Sequence, residues 1–380
     1  MRVYLDNAAT TPLDKEVFDA MAPFMLEHYG NPSSIHSHGR EVRSAIERAR
    51  KQVAELINAA PSEVFFTSGG TEADNMAIRC TVDTRGIKHI ITSKLEHHAV
   101  LHTVEVMEKK QKARVSYVRT DGNGGIDYDD LERLVQEMPG KTLVTLMHGN
   151  NEIGNLLDLE RAGTICREND ALFHSDTVQT MGHYRHDSEA LPVDFLVGSA
   201  HKFHGPKGVG FLYINSDIQI TPFIHGGAQE RNMRGGTENV YGIIGLAKAL
   251  EIACTQVEEH QKHVSGLKQR MIERMKASVP GIAFNGHSGN VNESLYTVLS
   301  LCLPPTEDND MLLFNLDINQ ISASAGSACS SGSSIGSHVL QQLDRDHRRG
   351  SVRFSFSKYN TEEEIDYVVD RLAELYAVKA

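Results

Sequence analysis

What this chain has little of narrows it first. No apolar run approaches the roughly 18 residues that would span a membrane. The N-terminus, Met1-Arg-Val-Tyr-Leu-Asp6, meets an acidic residue before a signal-peptide core could form, so a cytoplasmic protein is expected. Cysteine is scarce: five residues, at 80, 166, 254, 302 and 329, odd in number, widely spaced and without a Cys-x-x-Cys. That pattern excludes a disulfide framework and a structural zinc site, and it fits a reducing compartment. Positive charge is outnumbered, 38 Lys and Arg against 50 Asp and Glu, which argues against nucleic acid or an anionic membrane surface as the main partner. What remains is 380 residues, 40% of them hydrophobic, enough for a substantial core and for two domains.

From about residue 60 to 215, two kinds of segment alternate. Short β-branched and aromatic runs occur at Val64–Thr67, His89–Thr92, Val115–Val118, Leu143–Leu146, Leu172–His174, Phe195–Val197 and Gly210–Ile214. Between them lie amphipathic stretches such as Asp129–Glu137 and Leu159–Arg167. Strands alternating with helices of this length indicate a mainly parallel sheet covered on both faces, with ligands at the carboxyl ends of its strands. Residues 36–59 read as a solvated helix with Arg43–Glu47 and Glu47–Lys51 at i,i+4. A long helical pattern runs from about 240 to 278. Beyond it, strands at Leu295–Leu299 and Val352–Phe356 and a helix opened by the capping box Thr361-x-x-Glu364 form a smaller α+β domain.

The turns after successive strands carry the chemistry. Ser68-Gly-Gly-Thr-Glu-Ala-Asp-Asn75 leads straight into a helix, where free N–H groups and the Thr71 hydroxyl can hold an anion. Alone, such a turn is ordinary punctuation. Asp176 ends another strand, where an N-cap is the commoner role. Lys202 follows a third, in Ser199-Ala-His-Lys-Phe-His-Gly-Pro-Lys-Gly208. His201 and His204 have no third ligand nearby, and no metal is expected. Together these turns supply a phosphate cradle, a carboxylate and a lysine, the parts that pyridoxal phosphate needs. The lysine forms the Schiff base, the Asp partners the pyridinium nitrogen, and the helix start takes the phosphate. His97, in Leu95-Glu-His-His-Ala99, could stack on the ring.

A last segment stands apart. Ser322–Ser337 holds eight serines and three glycines in sixteen residues, no charge, and Cys329. A thiol there has little to bury against, and the backbone has little reason to prefer one conformation. That suits a travelling nucleophile better than a core cysteine.

Val3-Tyr-Leu-Asp-Asn-Ala-Ala-Thr-Thr-Pro12, Asn31-Pro-Ser-Ser34, Thr67-Ser-Gly-Gly-Thr-Glu72, Asn150-Asn-Glu-Ile-Gly154, His201-Lys-Phe-His-Gly-Pro-Lys-Gly208, Arg234-Gly-Gly-Thr-Glu-Asn239 and Gly326-Ser-Ala-Cys329 resemble, in order, cysteine desulfurases of the NifS/IscS type. The resemblance implies an α/β, fold-type I transferase dependent on pyridoxal 5'-phosphate. Its large domain, 13–256, would hold a mainly parallel seven-stranded sheet. A smaller α+β domain, 1–12 with 257–380, would carry the cysteine segment. The implied reaction takes sulfur from L-cysteine, leaves L-alanine and forms a persulfide on Cys329. An acceptor protein, possible in iron–sulfur cluster assembly or thiolation, then receives the sulfur. Carried over by position, Lys202 holds the cofactor and shuttles protons, and His97 stacks and assists. Asp176 binds the ring nitrogen and Gln179 the ring hydroxyl. Gly70, Thr71, Ser199 and His201 hold the phosphate, with Thr237 reaching across a homodimer. Asn151 and Arg353 take the substrate carboxylate, for which the planar fork of Arg is suited.

Three departures from the family pattern stand out. Ser357-Lys358 replaces a frequent Gly-Arg, Gly70 replaces a common Ala, and the sequence stops at Ala380, short of the tail with which some members dock a scaffold. A selenocysteine lyase or a small-amino-acid aminotransferase of the same fold is the alternative. The aminotransferase has no need of Cys329.

Overall fold

The structure, a computed structural model, describes residues 1–325, 336–346 and 348–376, with the backbone alone at 307 and 308. The chain opens with β1 (Val3–Tyr4), α1 (Lys15–Leu26) and α2 (Ser37–Leu56). There follow β2 (Val64–Thr67), α3 (Gly70–Arg85), β3 (His89–Thr92), α4 (His98–Lys109), β4 (Arg114–Tyr117), α5 (Tyr128–Val135), β5 (Thr142–Thr145), α6 (Leu159–Glu168), β6 (Leu172–Ser175), β7 (Phe195–Ser199) and β8 (Gly210–Ile214). Among the described residues these strands form one seven-stranded sheet in the order β2-β8-β7-β6-β5-β3-β4. Only β8 runs antiparallel to its neighbours.

Alternate side chains explain why the strands read as continuous apolar runs. Val64, Phe66, Ile91, Val144, Phe173, Leu196 and Phe211 pack on one face with α1, α2, α5, α6 and α7 (Val240–Thr255). Phe65, Phe195, Val197 and Leu212 pack on the other with α3, and Ile90 and Leu143 with α3 and α4. Both faces are dry, so a hydrophobic residue is favoured at every position.

The helical pattern from 240 to 278 is two helices, not one. It breaks at Gln256 (φ -108°, ψ 15°), where α7 gives way to α8 (Val257–Ser278) at a bend of 73°. The Thr255 hydroxyl donates to the Glu251 and Ile252 carbonyls, as a hydroxyl residue near a helix end does. Glu258 and Glu259 then open α8 at the positive end of its dipole. No single helix among the described residues is long and apolar enough to cross a membrane.

A second core lies around β9 (Ala283–Phe284), β10 (Val298–Leu303) and β12 (Gly350–Ser355), an antiparallel sheet in the order β12-β10-β9. It is backed by α8, α9 (Leu312–Ile318) and α10 (Glu362–Tyr376). The expected strand at 295 starts three residues late, because Leu295 bonds elsewhere. Its N–H donates to the Gly154 carbonyl and its own carbonyl accepts from Lys268 Nζ, each at 2.7 Å. The capping box on α10 is present, Thr361 N–H to Glu364 at 3.1 Å and Glu364 N–H to Thr361 Oγ1 at 3.3 Å.

The N-terminus joins the two cores. β1 pairs in parallel with β11 (Ile321–Ser322), Ser355 N–H donates to the Leu5 carbonyl at 2.7 Å, and Thr11 N–H donates to the His201 carbonyl at 2.9 Å. Residues 6–11 therefore pass from the small sheet to the carboxyl ends of the large one.

Candidate active site

Parallel neighbours end on the same side. The turns after β2, β3, β5, β6 and β7 therefore meet although they are far apart in sequence. Asp176 and Lys202 follow the adjacent strands β6 and β7. With Gly70, Thr71, His97, Asn151, Gln179, Ser199, His201 and Arg353 they line one cavity of about 220 Å³. Thr237 does not reach it; it lies in a neighbouring pocket with Ser68, Arg234 and Asn239. Cys329 falls outside the described residues. Lys358, at the Gly-Arg departure, pairs with Asp14 Oδ2 at 2.6 Å and does not line the cavity. His204 bonds the Pro12 carbonyl through Nδ1 at 2.9 Å.

One end of the cavity is built for an anion. Gly69, the N-cap of α3, has φ 152° and ψ -178°, a conformation essentially restricted to glycine. It turns β2 directly into the helix, leaving the N–H groups of Gly70 and Thr71 without helical acceptors. A Cβ on Gly70 would lie 2.7 Å from Val178 Cγ2, so glycine fits this turn closely.

Acid is concentrated here as well. Asp74 and Asp176 line the cavity and Glu96 stands behind its lining, all three buried. Burial beside Asp176 and Glu96 pushes the Asp74 carboxyl well up, and burial carries Glu96 up to about 8. Asp176 is raised by burial too, but His97, the Val178 N–H (2.9 Å) and Lys202 all oppose the rise. Three charges cannot share so dry a space. Glu96 accepts from the Met147 N–H at 3.1 Å, but Asp176 has both the Val178 N–H and the Lys202 amine opposing its rise, so it is the carboxyl best placed to be the anion. Asp74 Oδ1 and His174 Nε2, 3.4 Å apart, complete no hydrogen bond.

The amine lines the same cavity. Lys202 Nζ donates to the Ala8 and Ala9 carbonyls at 2.5 and 2.9 Å, and Gln179 Nε2 donates to the same Ala8 carbonyl at 3.0 Å. His97 caps α4, its Nδ1 accepting from Ala99 N–H at 3.1 Å, so Nε2 is the nitrogen left to face the cavity. Burial lowers its pKa, with Lys202 pushing the same way and Asp176 opposing. His201 is likewise neutral, held at about 4 by burial and the charges of Lys202 and Lys207.

At the rim, Arg353 is 2% exposed. Its Nη2 donates to Asp6 Oδ1 at 2.6 Å and its Nη1 to the Asn151 carbonyl at 2.8 Å, while Nε has no partner among the described residues. The Ser324 hydroxyl donates to the same Asp6 oxygen at 3.0 Å. Sequence reading missed Asp6, Ala8, Ala9, Asp74 and Glu96. Their positions within the Val3–Pro12, Thr67–Asn75 and Leu95–Ala99 motifs were the available signal.

A doubly wound sheet with a lysine, a carboxylate and an anion cradle at its strand ends defines a cofactor-dependent transferase. The model of the aminotransferase class-V family matches residues 3–368, and the chain belongs to that family. It is 43% identical to cysteine desulfurase IscS of Dictyoglomus turgidum over 98% of this chain and 94% of that one. To cysteine desulfurase IscS of Methanosarcina thermophila it is 42% identical over 98% and 91%. Among solved structures, a NifS-like protein superposes with a TM-score of 0.90 at 38% identity over 99% of both chains. Within the family the chain is a cysteine desulfurase, and these enzymes use pyridoxal phosphate. The residues present fit that group. The cradle of Gly70, Thr71, Ser199 and His201 suits its phosphate, the Asp176 anion its protonated ring nitrogen, and Lys202 its aldehyde.

Proposed function

We propose that this protein converts L-cysteine to L-alanine and passes the sulfur, as a persulfide on Cys329, to an acceptor protein, for iron–sulfur cluster assembly or thiolation. The overall change balances without an external oxidant. The enzyme thiol and cysteine together become the enzyme persulfide and alanine, and a reductant later releases sulfide. The observation that carries the reading is the meeting of Lys202, Asp176 and the α3 N-terminus in one cavity, with Arg353 at its rim. Pyridoxal phosphate, bound through Lys202, supplies an electron sink for bonds broken around the substrate Cα.

The chain's own groups supply the rest. Arg353 and Asn151 receive the substrate carboxylate, and Gln179 the ring hydroxyl. With Nδ1 accepting from Ala99 N–H, the neutral His97 carries its proton on Nε2 and can donate it into the cavity, while Lys202 Nζ serves as the other proton carrier. Cys329 attacks the substrate sulfur. We assign 13–256 to a large domain and 1–12 with 257–380 to a small one. We also assign a homodimer in which Thr237 completes the partner's phosphate site, and a cytoplasmic location.

The test is the purified holoprotein with L-cysteine and a reductant, which should release sulfide and alanine in equal amounts. Cys329→Ser should abolish sulfide release and keep the yellow colour, whereas Lys202→Ala should lose covalently held cofactor. Full turnover in Cys329→Ser refutes the persulfide role.

A further inference from the structure

Two side chains outside the cavity, the buried Tyr296 and the partly buried His183, converge on Lys202. His183 follows Gly182 in the turn after β6; its Nε2 lies 3.2 Å from the Lys202 carbonyl oxygen and its Nδ1 3.0 Å from the Tyr296 hydroxyl. The direction of this chain of bonds is fixed. A carbonyl only accepts, so Nε2 carries the proton. Burial keeps the ring neutral, with a pKa of about 4, so Nδ1 is a bare acceptor and the Tyr296 hydroxyl donates to it at 3.0 Å, with the His183 carbonyl a longer second acceptor at 3.3 Å. Burial also pushes the Tyr296 phenol far up, so its proton is kept.

Tyr296 is itself held firmly. Its N–H donates to the Tyr184 hydroxyl at 3.4 Å and the two rings lie 5.5 Å apart. Leu295, beside it, is tied to Gly154 and Lys268, and the Thr297 carbonyl accepts from Phe356 N–H at 2.9 Å. Tyr296 thus stands at the entrance to β10, whose partner β12 carries Arg353 across from Ser300.

Resting on the desulfurase reading, we propose that Tyr296 and His183 are a positioning pair for the reaction. Donating through the imidazole to the Lys202 carbonyl, they fix the lysine-bearing turn relative to the strand pair that carries Arg353. Nζ and the carboxylate-binding fork are then held at one separation, which a substrate spanning them requires. A reacting group displaced by about 1 Å can lose as much as a hundredfold in rate.

The experiment uses holoenzyme and three variants. Tyr296→Phe removes only the hydroxyl, His183→Leu removes the donor, and His183→Gln keeps an N–H at the place of Nε2. The expected kcat falls roughly tenfold in Tyr296→Phe and more in His183→Leu, with KM for cysteine within about twofold of wild type. The visible circular dichroism of the bound cofactor, which reads the geometry at Lys202 independently of turnover, should weaken in both. His183→Gln should restore most of the rate and the dichroism. Unchanged kcat and dichroism in Tyr296→Phe and His183→Leu overturn the proposal, as does a loss that His183→Gln fails to restore. If His183→Leu does not fold, Tyr296→Phe decides alone. Should the wild type release no sulfide, the desulfurase reading fails, while the dichroism still tests the pair.

Discussion

Replacing Glu230 should unlock the loop between β8 and α7. Its carboxylate is buried and grips the Arg50 guanidinium with both oxygens, at 2.7 and 2.8 Å, while Oε2 also accepts from Phe66 N–H at 2.8 Å. Arg50 is equally buried and donates as well to the Val64 carbonyl at 2.9 Å. Three consecutive residues, Glu230, Arg231 and Asn232, hold φ of 43°, 54° and 66°, a left-handed run that costs energy at each step and persists only while its anchor does. Glu230→Ala leaves the buried guanidinium with only the half-exposed Glu47, 3.3 Å from its Nε, as counter-charge, a loss of about 3 kcal/mol. The orphaned Phe66 N–H is included in that figure. Glu230→Gln keeps an acceptor and should lose less. Equilibrium unfolding in urea measures both. A loss below about 1 kcal/mol in Glu230→Ala refutes the reasoning. Because Thr237 lies on the same loop, the proposed dimer arrangement also predicts weaker cofactor retention in Glu230→Ala.

Gly70→Ala should weaken cofactor binding, because the added methyl meets Val178 Cγ2 at 2.7 Å and a β-branched side chain yields little. Adding Val178→Ala should recover most of the loss, and cofactor titration of the single and double variants checks the coupling. Lys268, fully buried in α8 with Nζ 2.7 Å from Ser294 Oγ and from the Leu295 carbonyl, has its pKa lowered by burial from 10.5 to about 7. Between those values the unfolded chain binds the extra proton, so this group makes stability rise with pH, by at most about 1.4 kcal/mol per unit. Lys268→Met should flatten that rise between pH 7 and 10; parallel unfolding profiles for the two proteins count against it.

Much of the site was legible because period and punctuation carry it. The apolar runs other than the edge strand β4 are strands buried on both faces, the turns after β2, β3, β5, β6 and β7 hold the polar residues, and the shared strand direction sends those turns to one edge. The misses share a different cause. Lys268 sits in a helix crowded with charge, and nothing local separates it from Lys262 or Lys276 on the same helix. Gln256 breaks a helix without glycine or proline. Asp74 and Glu96 lie inside motifs whose glycine and histidine drew the reading, and both are pushed up by burial and by Asp176, about 100 and 80 positions further along the chain but near both in space. His183 and Tyr296 meet only through the docking of two sheets, 113 positions apart. Contacts between cores leave no local pattern.

The segment joining those cores imposes an order on synthesis. Ala8, whose carbonyl holds Lys202 Nζ, is itself anchored by its N–H to Ser355 Oγ at 2.8 Å, 347 positions later. This stretch must therefore wait for one synthesised 347 positions later before it can settle. Vitamin loading accordingly follows the synthesis of β12, and a nascent chain stalled before that strand should emerge colourless.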